Sequence, residues 1–444
     1  MKILLSFFLL VSSVYAQDFE LTNNNFKNLF NKYRMGQPSN MPWAGSYWSY
    51  KNHGIADKTY KGILNVFSTQ SPAEKYDKFF NLGLSSYFWE LKNHSCDQVK
   101  FNEQKSCRDW WGHCNAWAAA AIKEAEPKSE ILVEGPGGKV KFSVADQKAI
   151  LTELYMQNQS LFAGHSNKSE KIGGWIFDVS HRTAKKLVGE GVTNYDAFWD
   201  VTPKTFFLVL TNYIGNRKIG LVIDRFTGDE VWNQPLVGYK FLPIRKVDIR
   251  DPVKKGNKIL YPVLIRTNIF WANDSVAADT VSLPFNINQA FDKFVTKDDF
   301  KYNDHFTGRS LGFFLYFNKK VKVSKNGTKV SSAGDIIGEG VWYHQTDEGI
   351  RYYDDFNNTH PDFIWLPTIV GDKNSSNYRN VNFTSSRVFK IFKKVTCTYN
   401  RYNLFKKIKQ SYTESSKNKS EACKIARKLC KKDKSFGQKC KKSD

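Results

Sequence analysis

Beyond its N-terminus the chain has no second apolar stretch of about 18 residues, which argues against a later membrane-spanning helix and leads us to expect a soluble mature protein. No internal repeat is visible, so a solenoid or propeller is not indicated. His53, His94, His165 and His181 are scattered singly, with none of the close His/Cys spacings of a metal motif, and the expectation is no metal and no cofactor. Acids are short relative to bases, 43 against 66, which gives a formal charge of +23. The excess is uneven: residues 401–444 carry 15 Lys/Arg against 4 acids. Such a tail suits an anionic polysaccharide or a membrane surface; nucleic acid is a general electrostatic option with no sequence-specific motif behind it, and a solvated tail is the plain alternative.

What is present begins with MKILLSFFLLVSSVYA, one lysine, a short apolar core and small residues at Val14 and Ala16. This reads as an export signal over residues 1–16, with the mature chain starting at Gln17. Nine Asn-x-Ser/Thr sites, at Asn93, Asn158, Asn167, Asn273, Asn326, Asn357, Asn374, Asn382 and Asn418, fit a secreted glycoprotein.

Seven cysteines, an odd number, leave at least one thiol without an intramolecular partner in an oxidising compartment. Pairing Cys96 with Cys107, and Cys397, Cys423, Cys430 and Cys440 among themselves, leaves Cys114 free; a Cys107–Cys114 bridge is the competing arrangement. In CRDWWGHCNAWAAAAIKEAE the Ala-rich run has strong helix preference, so Cys114 is expected at a helix N-terminus, where aligned N–H groups lower a thiol pKa and can bind an oxyanion. Gly112 permits a tight turn and close approach. Trp111 and Trp117, with Trp110, are expected to wall the site against water. His113, adjacent in sequence, should point away from the sulfur and pack.

The remaining chain predicts an α+β architecture. Helical spacing runs over 148–157 and 203–214, the latter opened by Thr202-Pro203. After Gly220 come extended, β-branched and aromatic runs: GLVIDR, VWNQPLVGYKFLPI, ILYPVLIRTNIFWA, LGFFLYFNKKVKVS, DIIGEGVWYH and DFIWLPTIV. Helices therefore dominate the N-terminal half and a largely antiparallel sheet the C-terminal half. Asp224 reads as a strand-end turn acid, and Trp232 and Pro235 as residues fixing an exposed loop, with Trp232 a candidate substrate contact.

Three stretches carry a resemblance: SYW at 46–48, WWGHCNAWAAAA at 110–121 and VWNQPLVGYKF at 231–241, joined by GDIIGEGVW at 334–342 and HPDFIWLP at 360–367. They resemble the transglutaminase elicitor family, known from a secreted cell-wall enzyme of Phytophthora and from bacterial relatives. The similarity runs from about residue 42 to 367. It implies a papain-like or transglutaminase-like thiol enzyme, with domains at 17–395 (catalytic) and 396–444 (basic tail), secreted and associated with a cell wall. It also implies the chemistry, in which Cys114 takes the γ-acyl group of a protein glutamine and a lysine side chain accepts it, with cell-wall proteins as partners. The matching base is His360, with His305 and His344 as weaker choices; the acid falls on Asn318, where the family carries an acidic residue, or on Asp335. A papain-like protease and a wall- or matrix-binding protein of the same fold are the competing readings.

Overall fold

The structure, a computed structural model, describes residues 19, 21–58, 70–97, 107–156, 158–164, 201–225, 230–292, 299–346, 349–352, 360–370, 379–392, 395–402, 408–416 and 439–442. The expected export signal lies outside them, and the side chains of the four C-terminal cysteines are likewise not described. Among the described residues no helix is long and apolar enough to cross a membrane.

Eight strands form the spine of an 11-stranded sheet. In chain order they are β1 (Asn158–Gly164), β2 (Val222–Asp224), β3 (Asn233–Phe241), β4 (Lys258–Ala272), β5 (Phe306–Phe317), β6 (Ile336–Thr346), β7 (Gly349–Tyr352) and β8 (Phe363–Val370). Their spatial order is β7-β6-β5-β4-β3-β2-β8-β1, and every neighbouring pair is antiparallel. The α+β class and the antiparallel sheet of the second half are as expected. One element differs: β1 comes from the N-terminal half and completes the edge by pairing with β8, Trp365 opposite Phe162.

Among the described residues the α-helices are α1 (Phe26–Lys32), α2 (Pro72–Phe80), α3 (Ser85–Asn93), α4 (Cys114–Lys123), α5 (Val144–Leu154), α6 (Pro203–Val209), α7 (Ile287–Asp292) and α8 (Ser385–Phe392). Ser71 and Ser143 open α2 and α5 with capping boxes to Glu74 and Asp146. Thr202 caps α6 by accepting from Thr205 N–H, with Pro203 at the first helical position as its sequence signals. The helical run then continues as π-helix over Leu210–Arg217.

Strand residues alternate between two cores. Val222, Val237, Phe270 and Trp365 face a core with Trp43, Trp48 and Trp117; Ile223, Leu236, Ile269 and Ile364 face another with Phe26, Phe206 and Tyr213. A central sheet covered on both faces must be apolar on both, which is why these strands read as continuous hydrophobic runs. Each large side chain so buried contributes about 1.5–3 kcal/mol. Ala116 and Ala118–Ala121 of α4 are fully buried in the first core beside Trp117, and these small side chains let the helix sit close on β3.

A candidate thiol site at the rim of the sheet

Cys114 is the first residue of α4 and, among the described cysteines, the free one; Cys96 and Cys107 are bridged to each other. The competing Cys107–Cys114 pairing is thus not formed. Its turn is built by close backbone approaches. Gly112 lies so near Tyr47 that an added Cβ would come within 2.5 Å of the Tyr47 carbonyl oxygen, and His113 N–H donates to that same oxygen at 2.6 Å. The glycine therefore admits the chain's own loop. Trp48, in the same SYW stretch, holds a positive φ of 49°, unusual for a bulky residue, and its carbonyl meets His113 Nδ1 at 3.1 Å.

The sulfur faces the start of β3. Sγ donates to the Val231 carbonyl at 3.6 Å, and Asn233 Nδ2 donates to Sγ at 3.6 Å. Asn233 Oδ1 accepts from Trp365 Nε1 at 2.8 Å, so one amide ties the thiol to β8. Trp232 N–H donates to Asp224 Oδ1 at 2.9 Å, and Gln234 Nε2 to Asp274 Oδ2 at 2.7 Å. Of the expected exposed loop, Asn233–Pro235 is instead buried strand paired with β2, and Trp232, just ahead of it, is half-buried.

Burial reverses the electrostatic expectation. Cys114 is 6% exposed, and desolvation pushes its thiol up to about 11, against the lowering bonds from Asn233 and with further raising by the charges of Asp274 and Asp224. Asp274 is itself raised by burial. Sequence reasoning passed over Asn233, Gln234 and Asp274 altogether and left Asp224 as a turn acid; Asn233 bonds the sulfur, Asp224 and Asp274 act on it through their charge, and Gln234 holds Asp274. The available signal was the polar Asn-Gln pair opening an otherwise apolar strand.

The other expected site residues are distributed unevenly. Register sets Ile364 opposite Ile223 and Asp224 opposite Asn233, so β8 starts at the Cys114 rim, but His360, ahead of β8, folds back over the other face of the sheet from α4. It is buried with its ring parallel to Trp342 at 4.8 Å, on the side of the second core. His305 is also buried, near Thr280 at 3.4 Å, and only the backbone of His344 is described. Asn318 and Asp335 bond to each other, Nδ2 to Oδ2 at 3.1 Å, beyond the pair Phe317–Ile336. That pair is the opposite end of β5 from Phe306, eleven steps along the strand or roughly 35 Å from the Cys114 rim. Neither expected acid position is therefore beside the thiol. Trp117 is fully buried three residues into α4 and edge-on to Trp43, so it packs the core and does not wall a substrate channel. Trp111 is half-buried, and its carbonyl accepts from Tyr50 N–H. Trp232 lies edge-on to Tyr47 at 5.5 Å with Nε1 on Glu230, half-buried and able to meet a ligand.

His113 is fully buried, and neither ring nitrogen turns to the sulfur: Nδ1 meets Trp48 O, and Nε2 lies 3.0 Å from His94 Nδ1 and 3.1 Å from Glu153 Oε2. It packs, as expected, but against polar partners. The reading of His94 as an isolated histidine is corrected, because α3, α5 and the turn before α4 bring Glu90, His94, His113 and Glu153 together.

Comparison with known proteins bears on the central segment. A family model described as transglutaminase elicitor matches residues 88–302, which hold Cys114, Asp224, Asn233 and Asp274 and exclude His360, Asn318 and Asp335. The crystal structure of the GP42 transglutaminase from Phytophthora sojae is similar with a TM-score of 0.48 and 20% identity, over 84% of this chain and 98% of that one. No curated protein matches.

Proposed function

We propose, on the premise that this chain belongs with the transglutaminase elicitor family through residues 88–302, that it is a protein-glutamine γ-glutamyltransferase acting through Cys114. The observation that carries this reading is a free cysteine at the first turn of a buried helix, with an asparagine amide aimed at its sulfur. In the first half-reaction Sγ attacks the γ-carboxamide carbon of a protein glutamine. The C–N bond breaks, the thiol proton leaves with the nitrogen as ammonia, and a thioester forms. A lysine amine then attacks that thioester, the isopeptide bond forms, and the amine proton returns to sulfur. The N–H groups opening α4 are suited to the oxyanion. His360, the residue that the family resemblance matches to the base, is the imidazole we assign to the proton transfers, which requires it to leave its stack on Trp342; Asp224 and Asp274 supply negative charge near the sulfur, and Asn318 and Asp335 take no part in this scheme. Trp232 and Trp111 are the proposed substrate contacts.

Secretion to a cell wall belongs to the same proposal. It rests on the signal-like residues 1–16 and on the Cys96–Cys107 bridge, which an oxidising compartment favours. The basic tail is proposed to hold anionic wall polysaccharide.

The test is incubation of the pure protein with a glutamine peptide and a fluorescent amine. Label should enter the peptide with the native chain and not with Cys114→Ala. Absence of label with the native chain overturns the transferase, and peptide-bond cleavage without label selects the protease. One observation favours a second reading, a binding protein of this fold: the thiol is buried and its pKa is raised. Under that reading neither label nor cleavage appears while polysaccharide binding persists.

A further inference from the structure

Behind the thiol lies a cluster that acyl transfer does not use. Glu90 lies on α3 and His94, four residues on, is that helix's C-cap residue; Glu153 comes from α5, and His113 is the N-cap residue of α4; all four are 2% exposed or less. Their inner atoms converge. His94 Nδ1 is 2.8 Å from Glu90 Oε2 and 3.8 Å from Glu153 Oε2; His113 Nε2 is 3.1 Å from Glu153 Oε2, 3.8 Å from Glu90 Oε2 and 3.0 Å from His94 Nδ1. A tetrahedron with bonds of about 2.0 Å has edges of roughly 3.3 Å, and these separations straddle that value.

The outer shell is arranged as it is around bound metals. Asn380 N–H donates to Glu153 Oε1 at 2.7 Å and Asn380 Nδ2 to Glu90 Oε1 at 2.9 Å, so each carboxylate is held by one oxygen and turns the other inward. His113 Nδ1 faces the Trp48 carbonyl, an acceptor, which puts the ring proton there and leaves Nε2 as a bare lone pair. With both carboxylates ionised, as a bound cation would hold them, three acceptors, His113 Nε2, Glu90 Oε2 and Glu153 Oε2, meet with one nitrogen of His94, which can supply a single proton. Fully buried Glu153 Oε2 accepts no hydrogen bond. Close-packed acceptors without matching donors are stabilised by a cation.

We propose that Glu90, His94, His113 and Glu153 form a binding site for one divalent cation of the zinc class. Two imidazoles and two carboxylates suit zinc over calcium, and a closed four-ligand shell makes the site structural. It would pin α3 and α5 to the residue directly before Cys114. The inference stands apart from acyl transfer, since metal binding is read without any activity.

The full-length chain, freed of metal by dialysis against a chelator, is titrated with Co2+ and followed by visible absorption. The expected result is saturation at one Co2+ per chain with the intense d–d bands of a tetrahedral site, no sulfur charge-transfer band, and displacement by Zn2+. Glu153→Gln and His94→Gln should abolish those bands while the far-UV circular dichroism persists. Asn380→Ala, one shell out, should weaken affinity about 10–100-fold. The proposal is overturned if the metal-free native chain takes up no Co2+, if the bands show thiolate ligation, or if both ligand variants retain native binding.

Discussion

Asn233→Leu isolates the amide that joins the thiol to the sheet. Leucine nearly matches asparagine in shape, so the change removes two bonds with little change in packing volume. Trp365 Nε1, on a residue only 2% exposed, loses the acceptor it holds at 2.8 Å, and Cys114 Sγ loses its 3.6 Å donor. A buried N–H left without a partner costs about 1–3 kcal/mol, and the long sulfur contact adds less. The expected loss of stability is therefore about 1–3 kcal/mol, or roughly 5- to 150-fold in the folded-to-unfolded ratio. It should appear as a lower guanidinium midpoint at unchanged slope. The same substitution in a Trp365→Phe background, where the donor is already gone, should cost less, with a coupling of about 0.5–3 kcal/mol. Equal costs in the two backgrounds would refute the inference that Asn233 bridges thiol and sheet.

Four further outcomes can be measured. Burial holds the Cys114 thiol at about 11, so iodoacetamide should label the folded chain at pH 7 roughly 100-fold more slowly than a free peptide cysteine, with the rate climbing toward pH 11; labelling at the free rate would show a stabilised thiolate. Because the folded thiol keeps its proton after the unfolded one has released it, its contribution to stability is present below about pH 9 and is lost as pH rises toward about 11. Cys96 and Cys107, eleven positions apart, close a loop whose opening by Cys96→Ser plus Cys107→Ser should cost roughly 3 kcal/mol, read by thermal denaturation under non-reducing conditions. Lys148 is fully buried, with Nζ on Glu126 Oε1 at 2.9 Å and on the Ala44 and Thr280 carbonyls; Lys148→Met leaves that carboxylate without its cation and should cost about 3–5 kcal/mol, whereas a loss under 1 kcal/mol would show the pair is not formed.

Elements governed by local pattern were legible in the sequence. The Ala run after Gly112 fixes the start of α4 at Cys114, Thr202-Pro203 opens α6, and the apolar runs after Gly220 each contain a strand. Features that depend on long-range closure were not. The segment at β1 becomes a sheet edge only because β8, about 200 residues later, pairs with it. His94 and His113 meet across 19 residues, and the one local clue, Glu90 four residues before His94 on the same helix face, also fits a plain helical ion pair. The placement of an acid at Asn318 or Asp335 came from the order of residues along the chain. Order cannot report that β5 is long enough to carry its C-terminal end to the far rim.

The residues around the sulfur make the 231–235 segment the pivot of the molecule. Val231 accepts from Sγ, Trp232 is bonded to Asp224, Asn233 reaches both Sγ and Trp365, Gln234 holds Asp274, and Pro235 pairs with Val222. A segment with that many obligations must be polar in side chain yet buried, which pattern reading mistakes for a loop. Such burial is tolerated because Asn233 and Gln234 each place at least one polar group against a partner on a neighbouring strand, helix or loop, although Gln234 Oε1 accepts no hydrogen bond. The same requirement fits the alanines of α4: Ala116 and Ala118–Ala121 are fully buried, and larger side chains at those of them that face β3 would push the helix away from it. The small residues of the helix and the polar residues of the strand are thus two halves of one constraint, that a cysteine reach a strand backbone from a helix N-terminus.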